Sequence, residues 1–220
     1  MVIAPHPDDE IIGCGATIAK HILIGNEVFI VVSTNASIGA PELYTEEQVQ
    51  FSRKAALQAH QYLGVKKTFF MDFPAPALNS YPEYKISLSL LKIFNEVNPT
   101  ILYLPHHGDL HQDHKAIYRA SLVAARPQGN NRIHSIYCYE TLSETEWAPF
   151  QEKSFIPNCY VNVTNTFHNK IVAMNFYKTE LKDYPHSRSL EAIEALAKFR
   201  GASVHVPMAE SFIIERNIIM

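Results

Sequence analysis

The chain predicts an α/β protein: a Rossmann-like, three-layer αβα arrangement with helices on both faces of a mostly parallel sheet. Three observations carry this expectation. Short apolar runs alternate with segments of helical period. Some runs, such as Val28-Phe29-Ile30-Val31-Val32, are apolar at every position, as strands buried on both faces are. The first run, Val2-Ile3-Ala4-Pro5, passes through His6-Pro7-Asp8-Asp9-Glu10 directly into a helical pattern. Open α/β sheets place their ligands at such turns, at the carboxyl ends of strands.

The elements follow in order. Residues 1–5 form the first strand, and a helix is expected over about 13–25, ending at Gly25-Asn26. Residues 28–32 are the second strand, followed by a polar loop at 34–43. Thr45, with Gln48 three residues on and Glu46-Glu47 between, starts a long helix that runs to Gly64. Residues 68–71 are the third strand, and a Pro-rich loop at 73–82 leads to a helix at about 84–97. Residues 100–104 are the fourth strand, halted by Pro105. A loop rich in His and Asp then enters a helix at about 113–126. Residues 133–139 and 160–163 are the fifth and sixth strands. The tail reads as helices at about 167–182 and 188–199, then an irregular end.

Composition bounds the function. At 220 residues, with no linker, repeat or low-complexity stretch, one domain over residues 1–220 is expected. A net charge of -3 and no basic stripe speak against nucleic acid and against an anionic membrane surface. Cys14, Cys138 and Cys159 lie far apart without a C-x-x-C. That argues against a disulfide framework or a Cys-based zinc site, and for free thiols in a reducing compartment. No apolar run approaches the ~18 residues of a membrane span. The chain opens directly on a strand rather than on a secretory leader. A cytoplasmic location is therefore expected, and a homo-oligomer stays open.

The first turn carries one imidazole and three carboxylates, a density of acid that is costly unless a cation sits among it. A divalent metal is the simplest candidate. Zinc in hydrolases commonly takes three His or carboxylate ligands and leaves one position for water. His6 and Asp9 are three residues apart on one turn. A second cluster follows the fourth strand: His106-His107-Gly108-Asp109-Leu110-His111-Gln112-Asp113-His114. If the strand order reverses between strands 1 and 4, the two loops flank one crevice. The plain alternatives are helix capping by Asp8 or Asp9 and ordinary loop histidines at His106 and His107. His111 and His114 pair more strongly, because residues three apart share a helix face. Gly13-Cys14-Gly15 begins a dinucleotide fingerprint, but Ile18 stands where its last glycine belongs, and the acids upstream would repel a pyrophosphate.

With these residues the sequence resembles the zinc-dependent N-deacetylases of the PIG-L/LmbE-like family. The resemblance lies in Pro5-His6-Pro7-Asp8-Asp9-Glu10 after the first strand and His111-Gln112-Asp113-His114 after the fourth. The layout of residues 1–127 follows the family, and the stretches at 139–147, Arg200-Gly201 and Ala209-Glu210 look like one bacterial branch of it. The resemblance implies that His6, Asp9 and His114 hold Zn2+, with Fe2+ as an alternative ion. It makes Asp8 the general base, sets His111 towards the developing oxyanion, and gives Asp113 the task of orienting His111. It also points to Arg53 on the long helix as a substrate contact, although the acidic residue usual three positions on is here Ala56. The implied substrate is a small-molecule N-acetylated amino sugar or glycoconjugate.

The residues support the same chemistry. Amide hydrolysis needs activated water, a proton carrier and a donor for the oxyanion. Asp8 beside a ligand suits the second task. A protonated His111, kept so by the Asp113 carboxylate, suits the third. Glu10 reads as structural or as support for the ligands, and Arg188 as cover for the start of the last helix, with substrate binding as its alternative. Two rivals stand beside this reading. Two His and one carboxylate are also the ligand set of non-haem iron oxygenases. A non-catalytic sugar-binding module could retain the same site.

Overall fold

The first strand lies in the middle of the sheet, and the chain winds outward from it in both directions. The computed structural model describes residues 1–129, 131–149 and 154–219. The strands are β1 (Val2–Ala4), β2 (Phe29–Asn35), β3 (Lys67–Pro74), β4 (Ile101–Pro105), β5 (Ser135–Tyr139), β6 (Cys159–Asn162) and β7 (Ala209–Asn217). They form one sheet in the order β3-β2-β1-β4-β5-β7-β6. β1 pairs in parallel with β2 on one side and with β4 on the other. The direction of winding therefore reverses between β1 and β4, and the crevice between their following loops is a topological switch point.

Among the described residues, seven α-helices connect the strands: α1 (Asp9–Leu23), α2 (Ala36–Gly39), α3 (Glu46–Leu63), α4 (Glu83–Val97), α5 (Gln112–Ala124), α6 (Phe167–Met174) and α7 (Leu190–Ala202). Alternate residues of each strand feed opposite cores, because side chains alternate across the pleat. Val2, Ile30 and Val32 pack under α1, α3 and α6, with Ala56, Phe167 and Met174. Ile3, Val31 and Leu102 pack under α4 and α5, with Leu90 and Ile117. This double burial is what the uninterrupted apolar runs encode. The capping box read at Thr45 is present: Gln48 N donates to Thr45 Oγ1 at 3.2 Å, and Thr45 N to Gln48 Oε1 at 2.8 Å.

Four expectations are corrected. The first helix starts at Asp9, not near 13, because Asp8 O accepts from both Ile11 N and Ile12 N at 2.9 Å. The loop at 34–43 contains α2, capped by Asn35. The helix expected over 167–182 ends at Met174. The irregular tail is β7, a nine-residue strand inserted antiparallel between β5 and β6. Its charged residues, Glu210, Glu215 and Arg216, hide the strand pattern. No helix among the described residues is long and apolar enough to cross a membrane.

Candidate metal centre

β1 delivers His6-Pro7-Asp8-Asp9 to the top of the sheet. His6 N donates to Asp9 Oδ2 at 2.9 Å, closing the turn. Asp8 adopts φ 114°, a conformation costly for a residue with a side chain. Its N–H is held by Glu10 Oε2 at 3.1 Å. Glu10 is held in turn by His60 Nε2 at 2.9 Å and by the Tyr177 hydroxyl, and His60 Nδ1 meets Thr68 Oγ1 at 2.8 Å. Glu10, His60 and Tyr177 are all buried, so a closed polar network fixes the backbone beneath Asp8.

β4 delivers the second cluster. His111 caps α5, its Nδ1 accepting from Asp113 N at 3.1 Å. One turn on, His114 faces Asp9. The donor atoms of His6, Asp9 and His114 lie within 4.8 Å of one another. His6 Nδ1 stands 3.2 Å and His114 Nε2 3.3 Å from Asp9 Oδ2. Asp9 and His114 are completely buried, yet Asp9 Oδ1 and His114 Nε2 have no hydrogen-bond partner among the described residues. Buried polar atoms are rarely left so, and a coordinated cation satisfies both. His114 Nδ1 is already engaged by Asp109 Oδ2 at 2.8 Å. That bond orients the ring so that Nε2 faces the cluster, where a bound ion would take the place of its proton. The donor set thus fits a divalent ion such as zinc.

The charges are mutually locked. Burial pushes the Asp9 carboxyl up, but His114 and His6 together hold it well below the usual carboxylate range. Burial pushes His114 down, and the Asp9 and Asp109 carboxylates override it and raise it well above its ordinary value. Burial also opposes the charge on His6, and hydrogen bonds to Asp113 and Asp9 raise it to about 9. Asp8 is pushed up by burial, against the pull of Arg188.

The second acid differs from expectation. Asp113 Oδ2 lies 3.2 Å from His6 Nε2, and its Oδ1 accepts from Leu78 N at 3.0 Å. Its carboxylate is 4.0 Å from His111 Nδ1, beyond hydrogen-bond range. Asp113 holds His111 through its main-chain N–H instead. Asp113 N donates to His111 Nδ1, which leaves Nε2 as the nitrogen able to carry the ring proton, and burial, then the neighbouring His6 charge, lower His111 to about 4.

Arg53 reaches the carboxyl edge of β3. Its Nη2 donates to Asp72 Oδ1 at 2.6 Å and to Met71 O at 3.0 Å, and Asn35 donates to the same Asp72 oxygen. Arg188 does not merely cover a helix. Its Nη1 lies 2.8 Å from Asp8 Oδ2. No local pattern signalled this contact, which spans 180 positions. Asp109 stood in the readable His/Asp stretch, but its partner did not. Gly13 is explained by packing, since an added Cβ would come within 2.2 Å of the Tyr139 ring.

A buried His/Asp/His set that could hold a metal ion, with the Asp8 carboxyl next in the chain, lies at the switch point of a Rossmann-like α/β sheet. The model of the GlcNAc-PI de-N-acetylase (PIG-L) family matches residues 1–125. The chain belongs to this family and is a deacetylase. A relative from Escherichia coli (strain K12), described as an uncharacterized deacetylase YaiS, is 29% identical over 181 residues, 81% of this chain and 90% of its own. A relative from Bacillus cereus, described as a probable N-acetyl-alpha-D-glucosaminyl L-malate deacetylase 2, is 26% identical over 190 residues, 82% of each chain. The N,N'-diacetylchitobiose deacetylase of Pyrococcus horikoshii shares the fold, with a TM-score of 0.77 at 23% identity over 98% of this chain and 82% of its own.

Proposed function

We propose that this protein is a zinc-dependent deacetylase that removes the acetyl group from an N-acetylated amino sugar, free or as a small conjugate. The observation that carries the reading is the pair of buried atoms without a hydrogen bond, His114 Nε2 and Asp9 Oδ1, with the buried Asp8 preceding Asp9 in the same turn. The sugar class is supported by what the Bacillus cereus and Pyrococcus horikoshii proteins are described as acting on.

His6, Asp9 and His114 are the ligands. A bound Zn2+, or Fe2+ in its place, polarises a carbonyl and acidifies water. The chain's own residues do the rest. Asp8 takes the proton of the attacking water and passes it to the amide nitrogen as the C–N bond breaks, giving acetate and a free amine. His111 Nε2–H donates to the developing oxyanion, a contribution typically of about 10²–10³ in rate. Asp113 holds both His6 and the His111 ring. Arg53 contacts the substrate from the β3 edge. The buried or half-buried free cysteines suit a reducing cytoplasm.

Release of free amine from a panel of N-acetylglucosamine derivatives tests this, with zinc-loaded protein and an Asp8→Ala control. Asp8→Ala is expected to retain the metal and lose most turnover. Tight sugar binding without turnover in the parent would instead identify a binding module.

A further inference from the structure

Arg188 lies beyond the residues that match the family model, and nothing in its local sequence marks it. Its guanidinium nevertheless bridges two buried groups. Nη1 lies 2.8 Å from Asp8 Oδ2, and Nε donates to Ser143 Oγ at 2.7 Å. A second carboxylate, Glu180, stands 3.4 Å from Nη1. The two principal acceptors share a property. Asp8 and Ser143 are both non-glycine residues with positive φ, 114° and 76°. Each is pinned by a nearby carboxylate: Asp8 N by Glu10 at 3.1 Å, and Ser143 N by Glu146 at 2.6 Å. Costly backbone persists where surrounding contacts over-determine it, and it gathers where geometry matters.

Arg188 is itself anchored at the mouth of α7. Its N–H donates to His186 Nδ1 at 3.0 Å, and its carbonyl accepts from Lys182 N at 3.3 Å. His186 packs edge to face on Trp147 at 5.8 Å, so the segment before α7 and the loop after β5 meet beside the metal centre. Arg188 keeps 18% of its side chain exposed, against 2% for Asp8. The guanidinium thus spans from the cleft to the buried acid.

We propose that Arg188 is the positioning residue of Asp8: it holds Oδ2 in place, braced by Ser143, and leaves Oδ1 to exchange the proton. This rests on Asp8 being the base. It means that the last third of the chain completes a site whose proposed ligands all lie within residues 6–114. A lysine cannot substitute, because a point-charge ammonium does not reproduce two donors of one planar fork.

Two measurements test the proposal. In the zinc-loaded protein, kcat and KM for amine release are compared for the parent, Arg188→Ala, Arg188→Lys and Ser143→Ala, with metal content recorded. Arg188→Ala is expected to lower kcat about 10–100-fold, the usual range for groups that orient a metal site, with KM and metal content nearly unchanged. Arg188→Lys should recover little, and Ser143→Ala should fall between. Added methylguanidine should restore kcat to Arg188→Ala, which it could not do for an arginine needed only for folding. A parental kcat in Arg188→Ala, or a loss that methylguanidine leaves untouched, overturns the proposal. In the metal-free protein, urea midpoints of Asp8→Ala, Arg188→Ala and the double variant form a cycle. Non-additive midpoints are expected, and additive ones overturn the pairing. If the parent releases no amine from any panel member, the substrate reading fails, and the cycle still decides whether Arg188 acts through Asp8.

Discussion

Asp109 Oδ2 meets His114 Nδ1 at 2.8 Å, and neither residue is exposed to solvent. The other Asp109 oxygen accepts from Thr145 Oγ1 at 2.6 Å, so the carboxylate is fixed from both ends. An imidazole held this way presents a single nitrogen in a single direction, as a metal ligand must. Asp109→Ala should therefore weaken metal affinity by about 10–100-fold, read by titration against a competing chelator. Unchanged affinity would show that packing alone orients His114.

The network under Asp8 makes a second prediction. Tyr177 donates to Glu10 in a fully buried setting. Tyr177→Phe removes one hydrogen bond to a charged acceptor and should cost about 1.5–3 kcal/mol in urea unfolding. An unaltered midpoint would mean that His60 and Asp8 N alone satisfy the carboxylate.

Lys170 and Glu210 form a pair at 2.7 Å with about 5% and 4% of their side chains exposed. Glu210 also accepts from Ala16 N at 3.1 Å and Thr17 N at 2.7 Å, and Lys170 Nζ donates to Ile12 O. The pair thus stitches β7 and α6 into the middle of α1. Glu210→Ala strands a buried ammonium and two main-chain donors, and a loss of about 3–5 kcal/mol is expected. Replacing both partners by leucine should recover part of it; a double variant as unstable as the single would place the loss on α1 alone.

Gly13 sits against the Tyr139 ring, whose hydroxyl donates to Ile3 O at 2.9 Å. Tyr139 is completely buried. Gly13→Ala should cost about 1–3 kcal/mol through overpacking, visible as a lower Tm. A parental Tm would show that the ring can yield without loss.

The resemblance to the PIG-L family and the α/β architecture were legible from the chain alone, and so were the two His/Asp turns that meet at the switch point. Each depends on neighbours within a few positions. The apolar run at 28–32, the Thr45–Gln48 capping box and the spacing of His6 with Asp9 or His111 with His114 are all of that kind. Tertiary structure decided the rest. Arg188 reaches Asp8, and Asp113 reaches His6, only because β1 and β4 are neighbours in the sheet and the segment before α7 folds back over them. β7 was invisible because Glu210 breaks its apolar pattern, and that charge becomes tolerable only once Lys170 and the α1 main chain surround it. His111 reads as a ring paired with the Asp113 carboxylate, but in the fold it caps α5 and takes the Asp113 main-chain N–H instead. Periodicity and caps are properties of a short stretch, whereas the burial of a charge and its partner exist only after distant stretches have met.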